Sequence, residues 1–431
     1  MSSSKVAVIG GGSTYTPELL DGLMRHAADL DLAQVVLADP DEERLAVVGG
    51  FCRRMLQAAG SSIRLETTGS NEEAIEGASF VLTQIRVGGQ AGRHLDIQLG
   101  LTHGLVGQET TGVGGFAKAM RTVPVMLGLC EEMEKRCPKA WLINFTNPSG
   151  LVTEAILKYG RERAIGLCNN PINLHLDSAK LLDVDPGRLQ LDYIGLNHLS
   201  WVRRILVDGR DVLPGTLAQF ASAGRPANIP DELDYPDAFL QALGAIPCSY
   251  LRYFYRTREV VAELKAKTRS RAEEVMEVEE ELLAQYRNPA LTQKPEALSK
   301  RGGANYSRAA VDLMRSIATD SGARHVVNVR NGSCLASLPS DCVVEVGCQV
   351  GADGATPLAL EEPAPEIRGL MQHVKAYEEL AVEAAVKGDR ATAILALVSH
   401  PLVADVDLAV LLVDEIAGVH KLPWSVGSRN P

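Results

Sequence analysis

The chain has 431 residues, which is enough for two domains of ordinary size. A hydrophobic fraction of 46% and a charged fraction of 23% are typical of a globular protein and exclude fibrous and disordered classes. The net charge of −11 argues against a nucleic-acid partner, because binding phosphate backbones requires basic surface. The chain lacks a membrane-length apolar run, a signal peptide and a disulfide-type spacing of its eight cysteines, so we expect a cytoplasmic protein with free thiols.

The first half of the chain alternates strand and helix patterns. The predicted strands cover residues 5–10, 35–40, 63–68, 80–85 and 141–148. The predicted helices cover residues 17–27, 43–60, 71–78, about 115–136 and 152–160. Near-continuous apolar strands in this order predict a parallel, doubly wound sheet of the Rossmann type, covered on both faces. We assign this α/β domain to residues 1–167.

The second half has a different texture. Residues 191–209 read as two strands closed by an Asp-Gly turn at 208–209, which predicts an antiparallel hairpin. Residues 211–247 are rich in proline, glycine and alanine and are expected to be irregular. Helical patterns at 258–287, 305–319 and 366–399 enclose a β segment at 325–350. We therefore expect a C-terminal α+β domain, residues 168–431.

A glycine-rich turn, GGGST (10–14), closes the first strand and opens the first helix. Such a turn lets the backbone approach a pyrophosphate at the positive end of the helix, which predicts dinucleotide binding. The expected contacts come from Gly10, Gly12, Ser13 and Thr14. Asp39 ends the second strand, where an acid bonds a ribose hydroxyl and favours NAD over NADP. Tyr15 stands where the fingerprint's third glycine would be, so a glycine turn of another α/β fold is the alternative.

Three polar segments follow strand or strand-like patterns: GQETTGVGG (107–115), NFTNPSG (144–150) and GLCNNP (166–171). Each segment alone could be a capped turn, because asparagine, threonine, proline and glycine are common turn residues. Sites in doubly wound sheets lie at the carboxyl ends of the strands. The three segments together, beside a nucleotide-binding strand, therefore indicate a substrate pocket.

Cys168 and His198 leave three interpretations open. They could be separate core residues, a nucleophilic pair, or an incomplete metal site that substrate and water finish. The aromatic stretch YLRYFY (250–255) could be a buried face, or it could supply a phenol base if a cation or a metal lowers its pKa. Arg93, Arg271 and Arg301 are candidates for gripping a dianionic phosphate.

A series of motifs, taken in order, resembles one family. They are GGGSTYTPEL, the acid that closes VVLADP, GQETTGVGGFAKAMRT, NFTNPSG, GLCNNPI, GLNHLSW, YLRYFY, RAEEVMEVEEELL and RGGANYS. Between Val6 and about His400 the chain resembles the NAD- and metal-dependent glycosidases of glycoside hydrolase family 4. In that family the residue after the metal-binding cysteine varies with the substrate. Asn169 in that position resembles the 6-phospho-β-glucosidases rather than the 6-phospho-α-glucosidases or α-galactosidases.

The resemblance implies a mechanism that departs from the usual pair of carboxylates. Oxidation at C3 of the sugar by NAD acidifies the C2 proton, which a tyrosine removes. The aglycone then leaves by elimination, water adds, and the hydride returns to C3. A divalent ion, usually Mn²⁺ in this family, stabilises charge on the C2 and C3 oxygens.

The resemblance also assigns residues. Cys168 and His198 would be the metal ligands, and Tyr250 would be the base, with Tyr253 as its rival. Asn147 and Asn169 would hold sugar hydroxyls, and Glu109 would lie near the reacting face. Asn169 would thus act at the catalytic centre without serving as an acid, which leaves the proton donor to the leaving group open. The 6-phosphate would be bound by Ser13, Arg93 and Arg271.

The expected substrate is a small phosphorylated disaccharide or aryl glucoside, and the expected assembly is a homodimer or homotetramer. One alternative is a related family 4 glycosidase, such as a 6-phospho-α-glucosidase or an α-galactosidase. Two other kinds of protein share the first domain. A plain NAD-linked dehydrogenase of a hydroxy acid or sugar would produce NADH, whereas a nucleotide-binding sensor would bind ligand without turnover.

Overall fold

The computed structural model describes residues 4–220, 235–301, 305–422 and 424. Part of the region expected to be irregular (221–234) and part of the RGGANYS motif (302–304) lie outside the described residues. The strands are β1 (Ser4–Ile9), β2 (Leu32–Ala38), β3 (Arg64–Thr68), β4 (Phe80–Thr83), β5 (Trp141–Asn144), β6 (Ala164–Gly166), β7 (Leu189–Leu196), β8 (Leu199–Val207), β9 (Arg210–Asp211), β10 (Ile246–Pro247), β11 (Ala323–Arg330), β12 (Val343–Gly351) and β13 (Gly354–Pro357).

The α-helices of the first half are α1 (Thr16–Arg25), α2 (Glu42–Ala58), α3 (Asn71–Ile75), α4 (Gly89–Thr102), α5 (Gly112–Arg136), α6 (Ser149–Ala155) and α7 (Asn169–Leu181). Those of the second half are α8 (Leu213–Phe220), α9 (Asp237–Leu243), α10 (Arg252–Tyr255), α11 (Thr257–Ala266), α12 (Arg271–Tyr286), α13 (Tyr306–Thr319), α14 (Pro365–Lys387), α15 (Arg390–Val398) and α16 (Val406–His420). Short helical turns of other types cover Ile156–Gly160, Pro186–Arg188, Ser249–Leu251 and Glu296–Arg301.

The first six strands form a parallel sheet in the order β3-β2-β1-β4-β5-β6, the Rossmann arrangement that the sequence predicts. Its central strands are apolar over most of their length because helices cover both faces; Val6, Val8 and Leu82 are fully buried. The predicted fold class is therefore confirmed.

The same sheet continues into the second half of the chain. β11 lies antiparallel to β6 through the pair Asn328 and Gly166, and β12 and β13 follow it, also antiparallel. The domain boundary expected at 167/168 thus falls where the parallel part ends, and hydrogen bonding crosses it. That boundary stays a prediction.

A smaller sheet holds β7, β8, β9 and β10. β7 and β8 form the expected antiparallel hairpin, but the expected position of its turn is wrong. The strands reverse at Asn197 and His198, and His198 takes a left-handed conformation with φ 63°. The turn at 208–209 instead closes β8 onto the two-residue β9. In the sequence, the Asp-Gly pair at 208–209 is a stronger turn signal than Asn197 and His198. The reversal at Asn197 and His198, which places His198 at the end of a strand, is therefore not predicted.

All eight cysteines are free thiols, as expected. Among the described residues, we find no helix whose length and apolarity would let it cross a bilayer.

Candidate active site

A cavity of about 1280 Å³ opens at the carboxyl ends of the parallel strands. Each of four strands contributes wall residues just beyond its end: Gly10 after β1, Asp39 after β2, Gln84 after β4 and Asn147 after β5. Asn169 begins α7 on the far side of β6, and α12 and the segment 246–252 close the opposite wall. This is the edge where doubly wound sheets bind their ligands.

The glycine turn is shaped by its contact with Asp39. The Gly12 amide donates to Asp39 Oδ2 at 2.9 Å, and a Cβ on Gly12 would lie 2.9 Å from the same carboxylate. Gly10 has φ +87°, a conformation that side chains disfavour. A glycine backbone without side chains, packed against a carboxylate at the end of the second strand, is the arrangement that binds a dinucleotide. These residues therefore fit NAD.

Ser13 and Thr14 are held by Arg301. Its Nη2 donates to Ser13 Oγ at 3.2 Å and its Nε to Thr14 Oγ1 at 2.6 Å, while Glu279 lies 3.2 Å from Nη2. Ser13 forms part of the cavity wall, as predicted. Gly12 and Thr14 are not among the described residues that form the wall. Thr14 is fully buried. Gly12 and Thr14 therefore contribute to the shape of the turn, and contact of either residue with a cofactor stays a prediction.

Glu109 is surrounded by three cations. Arg86 pairs with Oε2, Lys118 Nζ lies 2.8 Å from Oε2, and Arg93 Nε lies 2.9 Å from Oε1. Burial opposes ionisation, but the three cations hold the pKa of Glu109 well below its usual range. Burial lowers the pKa of Arg93 to about 10, and burial with Arg86 lowers that of Lys118 to about 8. The ionised carboxylate of Glu109 therefore orients Arg93 and Lys118 at the cavity wall.

The close packing of residues 107–110 onto α5 explains the glycines that follow. A Cβ on Gly114 would lie 2.2 Å from the carbonyl oxygen of Gln108, an impossible contact. Only glycine lets this loop press against the start of the helix. The packing holds Glu109 and Thr110 against the cavity.

The predicted base and one predicted metal ligand are stacked. The rings of His198 and Tyr250 are parallel within 2°, with centroids 3.7 Å apart, and both residues form the cavity wall. Tyr253 meets Tyr250 edge-on, at a centroid distance of 5.9 Å, and its hydroxyl accepts from Gln108 Nε2 at 3.3 Å. Burial raises the pKa of Tyr253 to about 12, and Tyr253 is absent from the described part of the wall.

Cys168 caps the N-terminus of α7, where its sulfur accepts from the Asn170 amide at 3.4 Å. The side chain of Asn197, the neighbour of His198, also bonds this thiol, which connects the two predicted ligands. Burial, reinforced by Glu345, raises the pKa of the Cys168 thiol, whereas burial and Lys118 lower the pKa of His198 to about 3. A thiol and a neutral imidazole suit a first-row divalent metal that deprotonates the thiol on binding.

No group of three or more histidine, cysteine, aspartate or glutamate residues with metal-site geometry occurs in the described ranges. The residues around the thiol form a polar network. Glu345 accepts from Asn197 Nδ2 at 2.9 Å, from Asn328 Nδ2 at 3.1 Å and from the Tyr193 hydroxyl at 3.0 Å. Burial raises the pKa of Glu345 to about 7.

Cys168 is 3% exposed and is not among the described wall residues, but the remaining predicted residues reach the cavity. Asn147, which precedes a cis proline, and Asn169 lie on its wall. Arg271 is the first residue of α12, a helix that starts with a capping box of Ser270 and Glu273. Its Nη1 donates to Glu274 at 3.0 Å and its Nη2 to the Lys300 carbonyl at 3.3 Å, at the cavity edge.

Sequence reasoning missed several residues of the site. Lys118 lies within GQETTGVGGFAKAMRT, and one lysine in the glycine-rich apolar start of a helix is a usable signal. Glu279 is hidden in a run of glutamates, and only its burial separates it from its neighbours. Gln108 and Thr110 flank Glu109 and read as turn residues. The signal for Glu345 is one acid in an apolar strand.

A Rossmann sheet, a dinucleotide turn and a cavity that joins the turn to a tyrosine, a histidine and clustered cations define a nucleotide-linked enzyme. Two family models match the chain: "Family 4 glycosyl hydrolase" over residues 5–184 and "Family 4 glycosyl hydrolase C-terminal domain" over residues 193–403. The chain belongs to family 4 of the glycosyl hydrolases.

Two relatives and one solved structure illustrate the similarity. The chain is 42% identical to a protein of Bacillus subtilis (strain 168) named "Probable 6-phospho-beta-glucosidase", across 97% of this chain and 96% of the relative. It is 38% identical to the "6-phospho-beta-glucosidase" of Escherichia coli (strain K12), across 97% and 95%. The 6-phospho-β-glucosidase of Thermotoga maritima, solved with manganese, NAD⁺ and glucose 6-phosphate, superposes with a TM-score of 0.90 at 36% identity, across 97% and 98%.

Proposed function

We propose that this chain is an NAD- and Mn²⁺-dependent 6-phospho-β-glucosidase that cleaves small phosphorylated β-glucosides. One observation carries the proposal. A single cavity wall joins the dinucleotide turn, the stacked His198 and Tyr250, and the arginines 93, 271 and 301. The names of the relatives and the ligands of the Thermotoga maritima structure support the same substrate class.

Tyr250 is the proposed base at C2. It lies on the cavity wall and stacks on the imidazole of His198, whereas Tyr253 lies behind it and is bonded to Gln108. The bound NAD supplies reversible hydride transfer at C3, and the metal ion supplies Lewis-acid stabilisation of the neighbouring oxygens. The chain's own contribution is to hold the phenol oxygen, the metal ligands and the sugar at one place.

Sugar hydroxyls are bound by Asn147 and Asn169, whose amides offer both donors and acceptors. Glu109 orients Arg93 and Lys118 rather than binding the sugar by itself, because each of its carboxylate oxygens already pairs with a cation. Asn169 has no acidic proton, so protonation of the leaving group falls to another donor. Its place after Cys168 supports the assignment of the β anomer.

The 6-phosphate is bound at the cationic edge formed by Ser13, Arg93 and Arg271, and Arg301 adds a fourth donor beside Ser13. A guanidinium binds a dianionic phosphate with paired hydrogen bonds, so loss of the phosphate should weaken substrate binding strongly. We also propose a cytoplasmic homodimer or homotetramer, with residues 168–431 providing the substrate, metal and subunit contacts.

The test is an assay of p-nitrophenyl β-glucoside 6-phosphate with NAD⁺, Mn²⁺ and a thiol reductant, with each omitted in turn. A glycosidase releases nitrophenol with no net change in NADH absorbance at 340 nm. Net NADH production would identify a plain dehydrogenase instead, and ligand binding without turnover would identify a sensor. Equal rates with the unphosphorylated glucoside would contradict the phosphate assignment.

A further inference from the structure

Gln108 and Thr110 flank Glu109 but have no part in the proposed function. Their side chains form a chain of contacts between two residues of the site. Gln108 Nε2 lies 3.3 Å from the Tyr253 hydroxyl, and Gln108 Oε1 accepts from the Thr110 amide at 2.9 Å. The Thr110 hydroxyl lies 3.3 Å from the same Oε1 and 3.1 Å from His198 Nδ1.

The donor and acceptor in each of these hydrogen bonds follow from the Thr110 backbone amide, whose role is fixed. A backbone amide can only donate, so the Gln108 atom that faces the Thr110 amide is its oxygen. An amide oxygen can only accept, so the Thr110 hydroxyl gives its one proton to Gln108. The hydroxyl oxygen then accepts from His198 Nδ1. A proton on Nδ1 leaves the lone pair of the neutral ring on Nε2.

The ring plane of His198 is fixed by a separate contact. Parallel stacking on Tyr250 at 3.7 Å prevents the imidazole from tilting, so the main freedom left is the choice of the protonated nitrogen. His198 is 5% exposed, and water has little access to compete for that choice. Histidine ligands of metals generally donate their second ring nitrogen to an outer partner, which orients the ring and fixes its tautomer.

We propose that Gln108 and Thr110 are positioning residues that set the tautomer of His198, holding the proton on Nδ1 so that Nε2 binds the divalent metal. The proposal rests on the metal role of His198 in the proposed function. It adds to that role a hydrogen-bond relay, made of Gln108, Thr110 and His198, whose first two residues lie on the loop before α5. The relay also explains why residues 107–110 must pack so tightly on the helix start.

The first test compares Thr110→Val with Thr110→Ser in the full-length, metal-free protein. Valine removes the hydroxyl acceptor at nearly constant volume, and serine keeps it. With histidine labelled by ¹⁵N, the nine imidazoles are observed by long-range ¹H–¹⁵N correlation, and His198→Asn identifies the His198 signals. We expect the Nδ1-protonated form in the wild type and in Thr110→Ser, and loss of that preference in Thr110→Val.

Calorimetric titration with MnCl₂ gives a second readout on the same proteins. Loss of an outer-shell partner costs roughly ten- to a hundredfold in metal affinity, so the Kd for Mn²⁺ should rise by that factor in Thr110→Val and little in Thr110→Ser. NAD affinity should not change in either variant, because the glycine turn is untouched. Unchanged Mn²⁺ affinity in Thr110→Val, or a wild-type proton on Nε2, would overturn the proposal.

Gln108→Leu provides an independent variant. It leaves the Thr110 hydroxyl in place but removes its acceptor, which frees the hydroxyl to donate to Nδ1 and moves the ring proton to Nε2. Reduced Mn²⁺ affinity with a reversed tautomer supports the relay, and an unchanged tautomer contradicts it. These measurements use no substrate, so a failure of the glucosidase assay would leave their result intact.

Discussion

The imidazole of His198 lies 3.7 Å above the phenol of Tyr250, with the two planes parallel within 2°. A predicted metal ligand and the proposed base are therefore fixed relative to each other by direct contact. Their backbones come from distant segments: His198 from the reversal between β7 and β8, and Tyr250 from the helical turn Ser249–Leu251. Movement of either ring displaces the other.

Replacement of the two neighbouring tyrosines should separate their roles. Tyr250→Phe keeps the stacked ring but removes the basic oxygen, so kcat should fall roughly 10²- to 10⁴-fold, the usual contribution of a positioned base. Tyr253→Phe removes the oxygen bonded to Gln108 and should cost much less. The check is kcat for the aryl 6-phosphoglucoside, together with solvent exchange at C2. A larger loss in Tyr253→Phe would reverse the assignment.

Replacement of Cys168 should weaken metal binding while NAD still binds. In Cys168→Ser the thiolate is lost, and we expect loss of Mn²⁺-dependent turnover and a Kd for Mn²⁺ raised by at least roughly tenfold. Cys52→Ser is the matched control, because Cys52 is also fully buried but lies on α2, away from the cavity. Equilibrium dialysis with NAD and with Mn²⁺ measures both affinities. Wild-type Mn²⁺ affinity in Cys168→Ser would remove the ligand assignment.

Replacement of Arg271 should affect phosphorylated substrates selectively. A hydrogen bond to a charged group contributes about 1.5–3 kcal/mol, so Arg271→Gln should raise KM for the 6-phosphoglucoside by roughly ten- to a hundredfold. KM for the unphosphorylated glucoside should change little. Arg269→Gln is the control, because Arg269 is exposed and pairs with Glu277 on the surface. Equal effects on both substrates would place the phosphate elsewhere.

Acid should destabilise the protein through His400. This residue is fully buried between Tyr377 and Phe254, and its Nδ1 accepts from the Leu402 amide at 3.0 Å. Burial lowers its pKa to about 3 from an ordinary value of 6.5. Below about pH 6.5 this histidine binds a proton in the unfolded chain but not in the folded protein. The free energy of unfolding therefore decreases as the pH is lowered, by about 2 kcal/mol between pH 7 and pH 5.

The matched variant for that prediction is His400→Asn, whose Oδ1 can still accept from the Leu402 amide but does not titrate. The free energy of urea unfolding, measured at pH 7 and pH 5, should fall less in the variant than in the wild type by about 2 kcal/mol. Other buried histidines titrate in both proteins and cancel in the comparison. Equal losses would show that His400 does not contribute.

The parallel half of the fold could be predicted from the sequence because its signals are local. Apolar strands such as 5–10 and 80–85 end in turns, and each is followed by a helical pattern. The addition of β11–β13 to the same sheet could not be predicted in this way. It depends on the pairing of Asn328 with Gly166, a contact between distant segments that leaves no periodic pattern.

The residues of the candidate site also differ in whether the sequence alone could identify them. Residues with distinctive chemistry in distinctive motifs, such as His198 and Tyr250, could be named from the sequence and lie at the cavity, and Cys168 could be named in the same way although it is buried and absent from the described part of the wall. The partners that set their properties could not. Lys118 and Glu345 each stand out in the sequence only as one charged residue in an apolar segment, and it is their burial and the groups facing them that identify what they do.

The antiparallel extension of the sheet has a consequence during synthesis on the ribosome. The edge of β6 stays open until β11 emerges, about 160 residues later. At about 5–20 residues per second, that interval lasts roughly ten to thirty seconds. An open strand edge is a template for pairing with another chain, so the nascent protein passes through a period in which association with other copies competes with completion of its own sheet.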